Sequence, residues 1–306
     1  MTDLAPLPPG PVRRVAFLGT PDMAVPVMSR LVESGVEVVH VVTRADKRRG
    51  RGGELMASPV KIRAVELGIP VSHRVDALLD LEPFDLGVVV AYGALVRPHV
   101  LARIPMVNLH FSLLPRWRGA APVERALLAG DAETGVCLMR VEEGLDTGGV
   151  FDRRRYPISD STTADDIRRA LVDEGAEMLV HHLRHGLPIP VAQSGEATYA
   201  AKIEPSELRL NWSSAESVSR LVRLGGAYTV FRGRRLKVHG VRVGGPDADG
   251  ARVSGRLVVA KSSVWVGTPT GPVELTEVQP EGRPRMDAAA WVNGNRPVDG
   301  EALDGG

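Results

Sequence analysis

The chain has 306 residues, 43% of them hydrophobic, with a formal net charge of +1. That length exceeds one ordinary core of about 100 to 200 residues, so two domains are expected. Near-balanced charge excludes a surface given over wholly to polyanions but leaves room for local basic patches. A single cysteine, Cys137, excludes an internal disulfide, and no apolar run approaches the length of a membrane span, so the cytoplasm is the expected compartment.

Residues 1–11 are proline-rich, without a basic start or an apolar stretch, and read as a flexible lead-in rather than a signal peptide. A β-rich run over 12–18 ends at Gly19-Thr20-Pro21-Asp22, and helical spacing follows over 24–34. Short β-branched runs at 36–43, 86–91, 106–110 and 136–141 have helix-like segments between them at 60–67 and 122–129. This alternation predicts an α/β domain with a mainly parallel, helix-covered sheet over 12–187, whose ligand crevice lies beyond the carboxyl ends of the strands. A long amphipathic helix is predicted over 163–185, and Gly186-Leu187-Pro188-Ile189-Pro190 stops it. Residues 188–204 then read as a linker. Over 205–306, a short helix at 217–224 precedes five short strands at 228–231, 236–243, 252–259, 264–266 and 273–278, which predict a small β-barrel domain. No internal repeat is present.

The glycines after the first strand do not form the Gly-x-Gly-x-x-Gly fingerprint, and no P-loop occurs, which removes the main support for nicotinamide or nucleoside triphosphate chemistry. Asn108 and His110, two apart on a strand end, point to one face. With Asp146 they combine an amide that can stabilise an oxyanion, an imidazole that can move a proton and a carboxylate that can orient or charge it, with no nucleophile among them. Such a set suits transfer of a small acyl group to an amine. Taken alone, Asn108 also reads as a turn cap, His110 as a core histidine and Asp146 as a turn-closing residue. A second feature is the segment 44–53, in which Arg44, Lys47, Arg48, Arg49 and Arg51 are opposed only by Asp46 and the glycines at 50, 52 and 53 favour mobility. On its residues alone it is either a phosphate-contacting loop or a solvated loop kept soluble by its charge.

The run Asn108-Leu109-His110-Phe111-Ser112-Leu113-Leu114-Pro115-Arg116-Trp117-Arg118-Gly119-Ala120-Ala121-Pro122, together with Gly130-Asp131-Ala132-Glu133-Thr134-Gly135-Val136 and Gly144-Leu145-Asp146-Thr147-Gly148, resembles the methionyl-tRNA formyltransferase family. Gly19-Thr20-Pro21-Asp22, Ser58-Pro59-Val60-Lys61 and Val89-Val90-Ala91-Tyr92-Gly93 match it in order, and the likeness spans about residues 12 to 300. It implies a Rossmann-like formyltransferase domain followed by an OB-like β-barrel. It further implies Asn108, His110 and Asp146 as the catalytic residues and Ser112, Leu113, Leu114 and Pro115 as the loop holding the donor, 10-formyltetrahydrofolate. The acceptor would be the α-amine of methionyl initiator tRNA, and the basic segment at 44–53 would contact that tRNA. One departure from the family lies at Arg223-Leu224-Gly225-Gly226-Ala227-Tyr228, which replaces a longer segment usually containing Asn-Pro-Trp-Pro.

Other features carry less. Arg232, Arg234, Arg235, Lys237 and Arg242 make the second domain locally basic and read as an auxiliary tRNA surface. Of His181, His182 and His185 only His181 and His185 share a helix face, with no third ligand on it, and Cys137 reads as a small buried apolar residue, so no metal is expected. The alternatives are a folate-dependent formyltransferase acting on a sugar-nucleotide amine or a small amino acid, and a catalytically idle RNA-binding module. No DNA or membrane partner is expected, and the chain is expected to be a monomer.

Overall fold

In the computed structural model, residues 3–49, 53–246, 251–261 and 263–304 are described, Arg49 through its backbone alone. They form two compact units, the first of Met1–Ala126, Ala132–Ile158 and Asp166–Ala201, the second of Leu127–Asp131, Ser159–Asp165 and Lys202–Gly306.

The first unit is built on a seven-stranded sheet in the spatial order Val150–Pro157, Glu133–Arg140, Met106–His110, Leu86–Val90, Arg14–Gly19, Glu37–Val42, Val71–Ser72. The five strands from Met106–His110 to Val71–Ser72 are parallel, and the two beyond them are antiparallel. This is the mainly parallel sheet that the alternating pattern predicts. Arg14–Gly19 and Leu86–Val90 bury nearly every side chain, as central parallel strands covered on both faces must. The chain runs outward from Arg14–Gly19 to Val71–Ser72, then resumes on the other side with Leu86–Val90 and Met106–His110. The strand order therefore reverses between Arg14–Gly19 and Leu86–Val90, and a crevice opens beyond the carboxyl ends of these strands.

Helix Ala24–Glu33 buries Ala24, Val27, Met28 and Leu31, the spacing of one apolar helix face. In the 22-residue helix Ala164–His185, Leu171, Leu179 and Leu183 are fully buried. Gly175 lets that helix close on the sheet, since a Cβ there would lie 3.2 Å from Val136 Cγ2 and 3.4 Å from Leu109 Cδ1.

Two segments are better ordered than their composition implies. In the lead-in, Ala5 is buried and its N–H donates to the Leu101 carbonyl at 2.8 Å, and directly after it Val12 N–H donates to the Leu183 carbonyl at 2.7 Å. Within 188–204, Val191 bridges Val150, and Tyr199–Ala200 pairs in parallel with Arg118–Gly119, so residues 188–201 form a strap along the first unit. In both segments backbone groups find partners far away in sequence, which prolines and polar residues do not advertise.

The second unit is an antiparallel sheet in the order Tyr228–Phe231, Arg234–Val243, Val273–Pro280, Val264–Val266, Leu257–Val259, with Met286–Asp287 paired to Val273–Pro280. The predicted strand over 252–259 is a strand only at Leu257–Val259. Residues 301–304 close the ring: Asp304 bridges Val230 on the first strand, and Ala302 bridges Arg256 just before the last. Inside lies a core that includes Trp212, Leu236, Val264, Leu275, Trp291 and Leu303. Helix Ala215–Leu224, capped by Ser214 Oγ accepting from Ser217 N–H at 3.0 Å, contributes Val218 and Val222 to it.

Candidate active site

A cavity of about 600 Å³ sits at the reversal point of the first unit's sheet. Its apolar wall includes Val89, Ala91, Leu95, Val96, Met139 and Val141, and its polar groups include Asn108, His110, Glu142 and Asp146. Apolar walls with a few convergent polar groups are the usual make-up of a small-molecule site. Asn108 and His110 come from the strand Met106–His110, where alternation turns both to the cavity, and Asp146 comes from the turn after Glu133–Arg140. The three residues predicted from sequence thus share one hollow.

Asn108 is half-buried and its side-chain amide has no hydrogen-bond partner among the described residues, so its N–H groups remain available to a ligand. His110 is 5% exposed. Its Nε2 lies 2.8 Å from the Trp117 carbonyl. A carbonyl only accepts, which puts the hydrogen on Nε2 and leaves the Nδ1 lone pair uncommitted to that carbonyl. Nδ1 lies 3.5 Å from Asp146 Oδ2, longer than a well-formed hydrogen bond and close enough to tighten when a substrate is bound. The same Oδ2 accepts from Gly119 N–H at 2.8 Å. Asp146 has φ +52°, the left-handed region, which points its carboxylate back across the turn.

Ser112, Leu113, Leu114 and Pro115, the predicted donor-holding loop, do not line this cavity. Ser112 Oγ is fully buried and donates to the Arg116 carbonyl at 2.6 Å. Leu113 packs on Gly135, where a Cβ would meet its Cδ2 at 2.5 Å, and Leu114 is buried. An apolar loop next to a strand end is drawn into the core, and here it closes a turn on Arg116, whose N–H donates to the Leu113 carbonyl at 3.2 Å.

The predicted basic loop is a hairpin, Lys47–Arg49 pairing with Glu54–Met56. Lys47 and Arg48 are exposed and have no carboxylate partner among the described residues, while Asp46 is taken up by Lys61 Nζ at 2.7 Å and Glu54 lies across the strand pair from Arg49. Arg44 donates to the carbonyl of Gly93 on the cavity wall, which ties the base of the hairpin to the rim. Arg49 is described only through its backbone, and Arg51 lies outside the described residues.

Three features have no role in the sequence reading, although Tyr92 lies in one of its family matches. Arg168 and Glu124 form an ion pair, 2.6 Å, in the cavity wall. Tyr92 also lines the cavity, and burial pushes its phenol up, which keeps it a neutral O–H donor. Gln193, on the strap, joins the turn of Asp146 to Arg118. Cys137 lies directly across the strand pair from His110, is fully buried, and has its thiol pushed up by that burial, so it supplies no thiolate. No group of three or more His, Cys, Asp or Glu side chains able to hold a metal occurs among the described residues.

Comparison with known proteins agrees with this architecture. Residues 13–183 match the family model "Formyl transferase" and residues 202–296 match "Formyl transferase, C-terminal domain". The chain is 43% identical to the methionyl-tRNA formyltransferase of Thermobifida fusca, covering 94% of this chain and 98% of that protein. It is 40% identical to that of Corynebacterium diphtheriae, covering 95% and 99%. An N-formyltransferase from Helicobacter canadensis, solved with folinic acid and dTDP-3-aminofucose, shares the fold with a TM-score of 0.63 at 14% identity, covering 86% of this chain and 98% of that one. With both formyl transferase models matched and near full-length identity at this level, the chain belongs to the methionyl-tRNA formyltransferase family.

Proposed function

We propose that this chain transfers the formyl group of 10-formyltetrahydrofolate to the α-amine of methionyl initiator tRNA, with Asn108, His110 and Asp146 as the catalytic residues. The observation that carries the reading is the meeting of these three side chains in one largely apolar hollow, in the same unit as a basic hairpin whose base Arg44 ties to the hollow's rim. A hollow of about 600 Å³ with apolar walls and a Tyr92 hydroxyl suits a flat, polar-edged heterocycle. Val89, Ala91, Leu95, Val96 and Val141 would hold it on the cavity side, with the adjoining loop of Ser112, Leu113, Leu114 and Pro115 as the donor-holding segment that the family resemblance implies. When bound, the donor supplies an electrophilic formyl carbon.

The chain's own residues then meet the charges that attack by a neutral amine creates. Negative charge grows on the formyl oxygen, and the free amide of Asn108 donates to it. Positive charge grows on the attacking nitrogen, and His110 accepts its proton at Nδ1, the only ring nitrogen not committed to a carbonyl. Asp146 faces that nitrogen and stabilises the ring once it carries the proton; the adduct would then break the bond between the formyl carbon and N10 of the donor, N10 leaving as tetrahydrofolate with the proton returned from Nδ1. Lys47, Arg48, Arg49 and Arg51 contact acceptor phosphates, with Arg44 at the rim. Crevice and hairpin belong to the same unit of one chain, which supports a monomer, and no helix among the described residues is long and apolar enough to cross a membrane. Translation initiation places the reaction in the cytoplasm.

The test is a formylation assay with the full chain and 10-formyltetrahydrofolate, offering methionyl initiator tRNA beside a dTDP-amino sugar and free methionine. Turnover is expected with the tRNA alone, and Asn108→Ala is expected to lower it about 100- to 1,000-fold, the typical cost of losing an oxyanion donor. Preference for the sugar would favour the small-amine reading. Binding of tRNA without turnover would favour an idle RNA-binding module.

A further inference from the structure

Gln193 lies in the stretch that composition marks as a linker, yet its side chain makes four hydrogen bonds within the first unit. Its Nε2 donates to the Asp146 carbonyl and to the Gly148 carbonyl, both at 2.8 Å. Its Oε1 accepts from Arg118 Nη2 at 2.7 Å and Nε at 3.2 Å. A glutamine amide has two N–H donors and two lone pairs, so its hydrogen-bonding capacity is completely used.

These bonds form a closed circuit. From Gln193 it runs to the backbone of Asp146, through the side chain of Asp146 to Gly119 N–H, back one residue to Arg118, and from the guanidinium to Gln193. The circuit fixes both ends of Asp146. Its carboxylate is held by Gly119, and its left-handed backbone, φ +52°, is held by the amide that grips Asp146 and Gly148 across the turn. The strap secures the other side as well: Thr198 Oγ1 accepts from Trp117 N–H at 2.9 Å, and Trp117 is the residue whose carbonyl holds His110. Gly119, at φ +120°, lies so close to the strap that a Cβ would meet the Ala200 carbonyl at 2.9 Å.

We propose that Gln193 is a positioning residue for formyl transfer: it holds the turn of Asp146 so that Oδ2 faces Nδ1 of His110. It touches neither substrate nor donor in this role, and a misplacement of about 1 Å in a group it holds is enough to cost turnover. The inference rests on the reading of Asp146 as a catalytic residue.

The test uses the full chain with Gln193→Met, which keeps the length and volume of the side chain and removes all four hydrogen bonds, and Gln193→Glu, which keeps acceptors for Arg118 and removes both donors to the turn. Both should lower kcat about 10- to 100-fold with KM for donor and tRNA within about twofold, and both should shift the pH profile of kcat, because Asp146 no longer faces His110. A role in packing alone predicts that Gln193→Met keeps wild-type kcat and an unchanged profile, which would overturn the proposal. Asp146→Asn and the double variant separate the two levels of the argument. If Gln193 acts through Asp146, adding Gln193→Glu to Asp146→Asn costs little more than Asp146→Asn alone, whereas additive losses would refute it. An active Asp146→Asn would instead sink the reading of the site itself. Should Gln193→Met fold poorly, Gln193→Glu and its double variant still decide the question.

Discussion

Asn108 and His110 show how far single residues can be read. Two positions apart on a strand end, they had to face the same way, and sequence was enough to pair them. Which nitrogen of His110 acts was not legible, because it depends on the Trp117 carbonyl, delivered by a turn seven residues on. His40 is a similar case with a consequence for stability. It sits in Glu37–Val42, 8% exposed, with Nε2 buried and unpartnered among the described residues, and burial pushes its pKa below the usual histidine value. The folded state therefore resists a proton that the unfolded chain accepts near its ordinary value of about 6.5. Above that pH neither state binds it and stability is full; as pH falls through that value and towards the folded pKa, the unfolded state gains protons and stability is lost, at up to about 1.4 kcal/mol per pH unit. Urea unfolding at pH 7.5 and 5.5 should show His40→Val losing less stability on acidification than the parent chain. Equal losses would mean that His40 binds its proton as readily in the folded chain as in the unfolded one, so that its burial has no effect on its titration.

At the scale of elements, period and caps made the helices legible: Pro122–Ala129 occupies the predicted residues, and Ala164–His185 begins one residue later than predicted. The strand Val150–Pro157 was hidden by Arg153, Arg154 and Arg155, because an edge strand can turn charged residues to solvent where a central one cannot. Barrel closure was equally hidden, since the chain near 302–304 meets its neighbours through single bridges rather than a run of alternating residues. Leu303 shows what that short contact contributes. It is 1% exposed, belongs to the barrel core, and its N–H donates to Gly255 at 2.8 Å. Leu303→Ala removes buried apolar volume while leaving the backbone bond, so it should destabilise the second unit by about 2 to 5 kcal/mol. Denaturant titration followed by tryptophan fluorescence would read the change, since Trp212 and Trp291 lie in the same core. A cost below about 0.5 kcal/mol, the range of a surface substitution, would show that the closing segment is dispensable.

For the whole molecule, a formal charge of +1 means that affinity for tRNA must come from where the cations are placed and what they already hold. The barrel arginines that looked like a second tRNA surface are partly spent: Arg232 is bound by Glu301 at 2.6 Å, Arg242 by Glu274 at 2.8 Å, and Arg235 stacks on Tyr228 at 3.8 Å. Lys47 and Arg48 on the hairpin are opposed by no carboxylate among the described residues, because Asp46 is engaged by Lys61. Their field is therefore available to phosphates, each of which contributes a salt-dependence slope of about 0.9 when its counterion is released. The double variant Lys47→Ala/Arg48→Ala removes about two such contacts, so the plot of log K against log salt for methionyl initiator tRNA should flatten by about 2. In kinetics, KM for tRNA should rise while kcat at saturating tRNA stays within a few-fold, since neither residue lines the catalytic hollow. An unchanged slope would mean that Lys47 and Arg48 do not meet the tRNA backbone.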